Sequence, residues 1–219
     1  MARRTTYSQA DVVQAAMDVL VQEGVQSVTA RRVAEALGAS TAPVYRNFAS
    51  MEALLGVLRQ RGIEVVLDYC RRPWSQDSFL SMGLGFIHFA VENPQLFRTL
   101  YLEPAGADCP EREILGALSQ DLDRHPFLGT LPQAQKDELL FQASIYSLGI
   151  ATTVVSGRWE QPDLTTVEGW LRSVGGLLIR AALMSAGLPI PQEMEQRFGQ
   201  FAVPWRHPER RTSKDGHHE

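Results

Sequence analysis

A chain of 219 residues, 44% hydrophobic and 21% charged, is long enough for one large or two modest domains and has the composition of a globular protein with a real core. A formal charge of −4 and a pI near 5.8 exclude a wholly basic nucleic-acid coat, but not a small basic surface on one part of the molecule. Cys70 and Cys109 lie far apart without a Cys-x-x-Cys spacing, which argues for unpaired thiols rather than a disulfide or metal framework.

Helical periodicity runs through almost the whole chain, and alternating strand patterns are scarce. Ser8-Gln9-Ala10-Asp11 reads as a capping signal for a first helix carrying Val12, Val13, Ala16, Val19 and Leu20 inward, which Gly24 ends in a left-handed conformation. Thr29 caps a short helix carrying Val33, Ala34 and Leu37, and Gly38 ends it. Ser40 is read as the cap of a third helix running to about Phe48. Ser50 is read as the cap of a fourth, running to about Arg72 and stopped by Pro73. With Ser40 as cap, Pro43 falls in the first helical turn, where its missing N–H removes no ladder bond.

Beyond Trp74 the helices lengthen and become more apolar, with candidates at 76–93, 95–102, 111–124, 133–157 and 164–187. Breaks fall at Asn93-Pro94, Glu103-Pro104, the Pro126–Pro132 loop and Gln161-Pro162. A short amphipathic piece from Gln192 to Phe201 follows. The polar segment 207–219 reads as a disordered tail. No apolar run is read as membrane-spanning, and the opening MARRTTYS lacks the apolar core of a signal peptide, so a cytoplasmic protein is expected.

The second and third helices, joined by Gly38-Ala39, fit a helix-turn-helix that turns Thr41, Ala42, Tyr45, Arg46 and Asn47 away from Val44 and Phe48. A hydroxyl and a phenol suit phosphate oxygens, and Arg46 suits a phosphate or a guanine edge. The same pattern also suits an αα-hairpin with a solvated face.

The spaced set Val12-Val13, Ala15-Ala16, Leu20, Gly24, Thr29-Ala30-Arg31-Arg32-Val33-Ala34, Gly38-Ala39-Ser40, Val44-Tyr45-Arg46-Asn47-Phe48 and Leu54 resembles the amino-terminal domain of TetR-type transcriptional regulators. Ala39, Val44, Asn47 and Met51 depart from the commonest residues of that pattern, and Arg32 stands where an acidic residue is common. The resemblance implies an all-α protein. A three-helix helix-turn-helix DNA-binding domain would cover 1–50. A larger helical ligand-binding and dimerisation domain would cover 51–206, with 51–72 as connecting helix. It implies phosphate contacts by Thr29 and Tyr45. Arg31, Thr41, Ala42 and Pro43 would face the groove, with Arg46 on its flank. Arg32, Ser40 and Asn47 join the candidate DNA-binding set, and Arg3 and Arg4 would form a minor-groove arm. Residues 1–48 hold five arginines against four carboxylates, so the acidic balance lies in the remainder.

One short reading helix buries too little surface for specific binding, so a homodimer on a pseudo-palindromic double-stranded operator is expected. The helices at 133–157 and 164–187, with Leu140, Ile150, Leu171, Leu177 and Ala181 among their apolar residues, are expected to form the four-helix interface. A small-molecule effector pocket is expected among Phe86, His88, Phe89, Arg98, Tyr101, Gln142, Tyr146 and Thr152. No nucleotide-binding, nucleophile-elbow or zinc-protease motif is present, and His88, Cys109 and His125 lack a compact metal spacing. The expectation is a ligand-responsive repressor, with no enzyme activity, cofactor, metal or membrane partner. The alternative is a helical ligand- or protein-binding module whose head binds DNA poorly.

Overall fold

The computed structural model describes residues 6–103, 110–158 and 163–192. The Arg3 and Arg4 arm, the 207–219 tail, Cys109 and most of the piece from Gln192 to Phe201 lie outside the described residues. Among those described there is no strand, and the expected all-α class is what the chain forms.

Helix α1 (Gln9–Glu23) starts at the expected box. Asp11 N–H donates to Ser8 Oγ at 3.2 Å, and Ser8 N–H donates to Asp11 Oδ2 at 2.8 Å. Gly24 ends it at φ +87°, ψ 166°, a region open essentially to glycine, rather than in the left-handed helical geometry expected. Thr29 caps α2 (Ala30–Leu37) by accepting from Arg32 N–H. Gly38, at φ +64°, ψ 35°, closes α2 with Ala39 N–H on Ala34 O and Gly38 N–H on Glu35 O, the paired bonds of a Schellman end.

Helix α3 (Ala42–Asn47) corrects the sequence reading in one respect. Its cap is Thr41, not Ser40, because Thr41 is already helical at φ −69°, ψ −12° and its carbonyl takes the first helical N–H. Pro43 is then the second helical residue and still removes no ladder bond. Val44 and Phe48 are buried where α3 packs on α1 and α2.

Helix α4 (Met51–Arg71) is capped by Ser50 as expected and carries the chain from the head into the larger helical body. It crosses α5 (Ser78–Glu92) closely. The cap of α5 is Asp77, whose carboxylate accepts from Phe79 and Leu80 N–H. The short α6 (Pro94–Phe97) runs into a π-helical turn, Arg98–Leu102. Then come α7 (Pro110–Asp121), α8 (Gln133–Val155) and α9 (Leu164–Ser185).

By length and mean hydropathy α8 could cross a membrane, contrary to the sequence reading that no run is long enough. In this fold it packs against α5, α7 and α9. Its start is pinned by Lys136 Nζ on Asp123 Oδ1 at 2.5 Å, a lysine buried to 5% exposure.

Cys70 lies at the α4–α5 crossing, and burial pushes its thiol up to about 12. At pH 8 its thiolate fraction is then roughly one part in ten thousand, and only the thiolate is nucleophilic. Iodoacetamide at pH 8 is expected to leave Cys70 unmodified in the folded chain and to alkylate it after denaturation, read by peptide mass mapping. Alkylation in the native chain at the rate of a free thiol would contradict this burial.

Candidate nucleic-acid interface and body cavity

The turn between α2 and α3 fixes which side chains the head presents. Thr41, Ala42, Tyr45 and Arg46 recur at helical spacing on the outer side of α3, and all four are exposed, Tyr45 to 60%. Ser40 and Thr29 are exposed beside them. Thr29 Oγ1 accepts a backbone N–H as a cap, which leaves its hydroxyl hydrogen available to an outside acceptor. Arg31 is exposed and paired with Glu35 at 3.0 Å, a surface contact that a phosphate could displace at small cost.

Three of the expected contacts are taken up within the head instead. Pro43 is buried with Val44, because a helix of six residues has room for one inward face and position 43 lies on it. Arg32 forks onto Glu23 of α1, with Nε at 2.9 Å and Nη2 at 2.6 Å, so it ties α2 to α1 rather than adding charge to the outer face. That guanidinium holds the Glu23 carboxyl below its usual range. Asn47 spends its amide on two backbone carbonyls, Pro43 O at 2.8 Å and Tyr7 O at 3.3 Å.

Tyr7 donates its hydroxyl to Leu37 O at 2.9 Å, closing the carboxyl end of α2. The segment before α1 is therefore strapped across the head by Tyr7 and Asn47, a role for Tyr7 that helical periodicity could not signal because it precedes the first helix. Arg4 lies outside the described residues.

In the body, α5, α7, α8 and α9 enclose a cavity of about 380 Å³. Of the eight residues expected around it, Phe86, Tyr101 and Tyr146 line its wall. The other five do not. His88 points the opposite way, stacked on Trp74 with ring centroids 3.8 Å apart and Nδ1 3.4 Å from Glu92. Phe89 is fully buried in the α4–α5 core, where it meets Tyr69 edge-on. Arg98 donates to Val155 O at 2.9 Å, satisfying a carbonyl at the end of α8. Gln142 is exposed on Glu138, and Thr152 lies off the wall.

Among the polar groups that do line it, Asp77, Glu111, His125, Ser147 and Arg172 were missed. Their only sequence signal was a place one or two turns from an apolar lining residue. His125 Nδ1 accepts from Phe127 and Leu128 N–H, and its Nε2 lies 3.8 Å from Asp77 Oδ1. Beside that imidazole, and with two backbone N–H groups on it, the Asp77 carboxyl is held below its usual range.

The sequence over residues 12–58 matches the model of the family described as bacterial regulatory proteins, tetR family. A crystal structure of a tetR-family transcriptional regulator from Streptomyces coelicolor superposes with a TM-score of 0.63 at 18% identity, over 88% of this chain and 87% of that one. A possible TetR family transcriptional regulator from Streptomyces coelicolor A3(2) superposes with a TM-score of 0.53 at 16% identity, over 80% of this chain and 98% of that one. At such identities these two likenesses concern the fold. No curated protein matches the sequence. Residues 12–58 are thus a DNA-binding domain of the TetR type, and the chain has the all-helical fold of two solved structures bearing that family's name.

Proposed function

We propose that the protein is a cytoplasmic homodimeric repressor that binds a pseudo-palindromic operator and is released by a small-molecule effector held in the body cavity. The observation that carries this reading is the outer face of α3. Thr41, Ala42, Tyr45 and Arg46 are exposed together on a helix that a Schellman turn and the Tyr7–Asn47 strap hold rigid. Ala42 offers a methyl to a thymine, Arg46 a fork to phosphate or guanine, and Tyr45 and Thr41 hydroxyls to phosphate.

Dimerisation is supported by an apolar face that the subunit leaves uncovered. Phe141 and Ile145 lie four apart on α8 at 47% and 54% exposure. Leu177 and Met184 lie seven apart on α9 at 60% and 62%. Leu140, Ile150 and Leu171, which the sequence pattern alone assigned to the interface, fill the subunit's own core instead. Ile145→Glu together with Leu177→Glu is expected to convert a dimer into a monomer in sedimentation and to abolish tight operator binding. A dimer surviving both changes would place the interface elsewhere.

Effector release requires that the ligand bind one head spacing better than the other. Tyr101 lines the cavity from the same π-turn whose Arg98 holds Val155, and the adjoining Gln95 reaches the end of α1 at Gly24. A ligand pressing on Tyr101 therefore acts on a segment that touches the head.

The test is fluorescence anisotropy on DNA upstream of the protein's own gene. A site bound at least about a thousandfold tighter than random duplex at physiological salt is expected. Binding no tighter than to random DNA would sink the reading. It would leave a ligand- or protein-binding module, a second reading that the pairing of Arg32 with Glu23 and of Asn47 with Pro43 O favours.

A further inference from the structure

We infer that the cavity takes an uncharged, elongated, mainly apolar molecule carrying a hydrogen-bond acceptor, such as a carbonyl, which the Ser147 hydroxyl binds. This rests on the proposed effector site and specifies its chemistry. The length follows from α5. Its Asp77 end and Phe86 both line the cavity, and nine residues of helix span roughly 13 Å. Between them the walls are apolar, with Phe79, Met82, Leu118 and Leu171 on three helices.

The charged groups described on the wall already hold hydrogen-bond partners. Arg172, the one lysine or arginine lining the cavity among the described residues, donates to Glu168 at 2.6 Å. Glu111 accepts the Ser144 hydroxyl at 2.9 Å, and Asp77 accepts two backbone N–H groups. An anionic ligand would find no unpaired cation among the described lining residues and would lie beside two carboxylates. A cationic ligand would give up its own hydration for two carboxylates that already accept hydrogen bonds.

What remains unmatched is a donor. Ser147 is 6% exposed, and its hydroxyl has no hydrogen-bond partner among the described residues. Opposite it stands Gly83, whose position for a Cβ is 3.8 Å from Ser147 Oγ, so α5 places no side chain at that point. His125 closes the Asp77 end, with Nδ1 accepting from Phe127 and Leu128 N–H and Nε2 facing Asp77 Oδ1 at 3.8 Å. A hydroxyl that opens onto a mainly apolar cavity without a protein partner gains a hydrogen bond when an acceptor arrives with an apolar ligand.

The test is calorimetric titration of the full chain, without DNA, by decan-2-one, decanoate and decylamine. Decan-2-one is expected to bind at least about tenfold tighter than either charged analogue. Ser147→Ala is expected to weaken the ketone about fivefold while leaving the circular dichroism and thermal midpoint unchanged. Ala143→Phe, which fills the cavity from α8, is expected to abolish ketone binding.

Equal or tighter binding of decanoate or decylamine overturns the assignment of an uncharged ligand. Ketone affinity unchanged in Ser147→Ala overturns the role of that hydroxyl, and no binding of any of the three overturns the inference as a whole. Ketone binding that depends on Ser147 but does not release operator DNA leaves this inference standing and refutes the release mechanism instead.

Discussion

Replacing Tyr45 by alanine is expected to weaken operator binding about a hundredfold and to leave the folding stability within about 0.5 kcal/mol of the parent. The side chain is 60% exposed on the outer side of α3, so little packing is lost with it. A hydroxyl bonded to a charged phosphate contributes about 1.5 kcal/mol net, and a dimer makes the contact twice, which gives about 3 kcal/mol, or roughly two decades in affinity. Tyr45→Phe separates the hydroxyl from the ring and is expected to retain whatever the ring contributes by contact.

Arg46→Ala provides the contrast. It removes a cation, so the dependence of affinity on salt should flatten by about one counterion per head, whereas Tyr45→Ala should leave that slope alone. Operator binding by Tyr45→Ala indistinguishable from the parent would show that the exposed face of α3 does not meet the DNA.

The parts of this site legible in the sequence were those set by near neighbours. Ser8, Thr29 and Ser50 are caps in the structure as in the sequence, because a cap is decided within one turn by a side chain and a backbone N–H three residues on. Ser40 failed by one residue because the αL turn at Gly38 delivers the chain to Thr41 already helical.

The strap and the salt link were not legible for a different reason. Asn47 meets Tyr7 forty residues away, and Arg32 meets Glu23 on another helix, so both depend on how α1, α2 and α3 cross. In the body the aromatic content pointed to a cavity, but not to which faces line it. Phe86 and His88 are two residues apart and therefore about 200° apart around α5, so one lines the cavity and the other stacks on Trp74. Similarly, Leu171 and Leu177 share an apolar helix, yet only the rotation of α9 in the fold decides that one is core and the other exposed.

Gly85→Ala is expected to destabilise the chain by about 3 kcal/mol or more and to lower its thermal midpoint by roughly 6–12 °C, measured by circular dichroism at 222 nm. A Cβ built on Gly85 would lie 2.1 Å from Tyr69 O, 2.6 Å from Tyr69 C and 2.8 Å from Cys70 Cα. All three are backbone atoms of α4, so no rotamer change relieves the overlap, and the two helices must move apart. That separation would loosen the packing of Tyr69, Cys70 and Phe89, all buried at the same crossing.

Gly116→Ala on α7 is the matched control. Nothing lies within 4 Å of its Cβ position and it is exposed, so the gain in helix propensity should raise stability by up to about 1 kcal/mol. If both substitutions behaved alike, the close crossing of α4 and α5 would not exist in solution. Because α4 is the helix that continues from the head into the body, that result would also remove the rigid connection through which a ligand in the cavity could set the spacing of two heads on DNA.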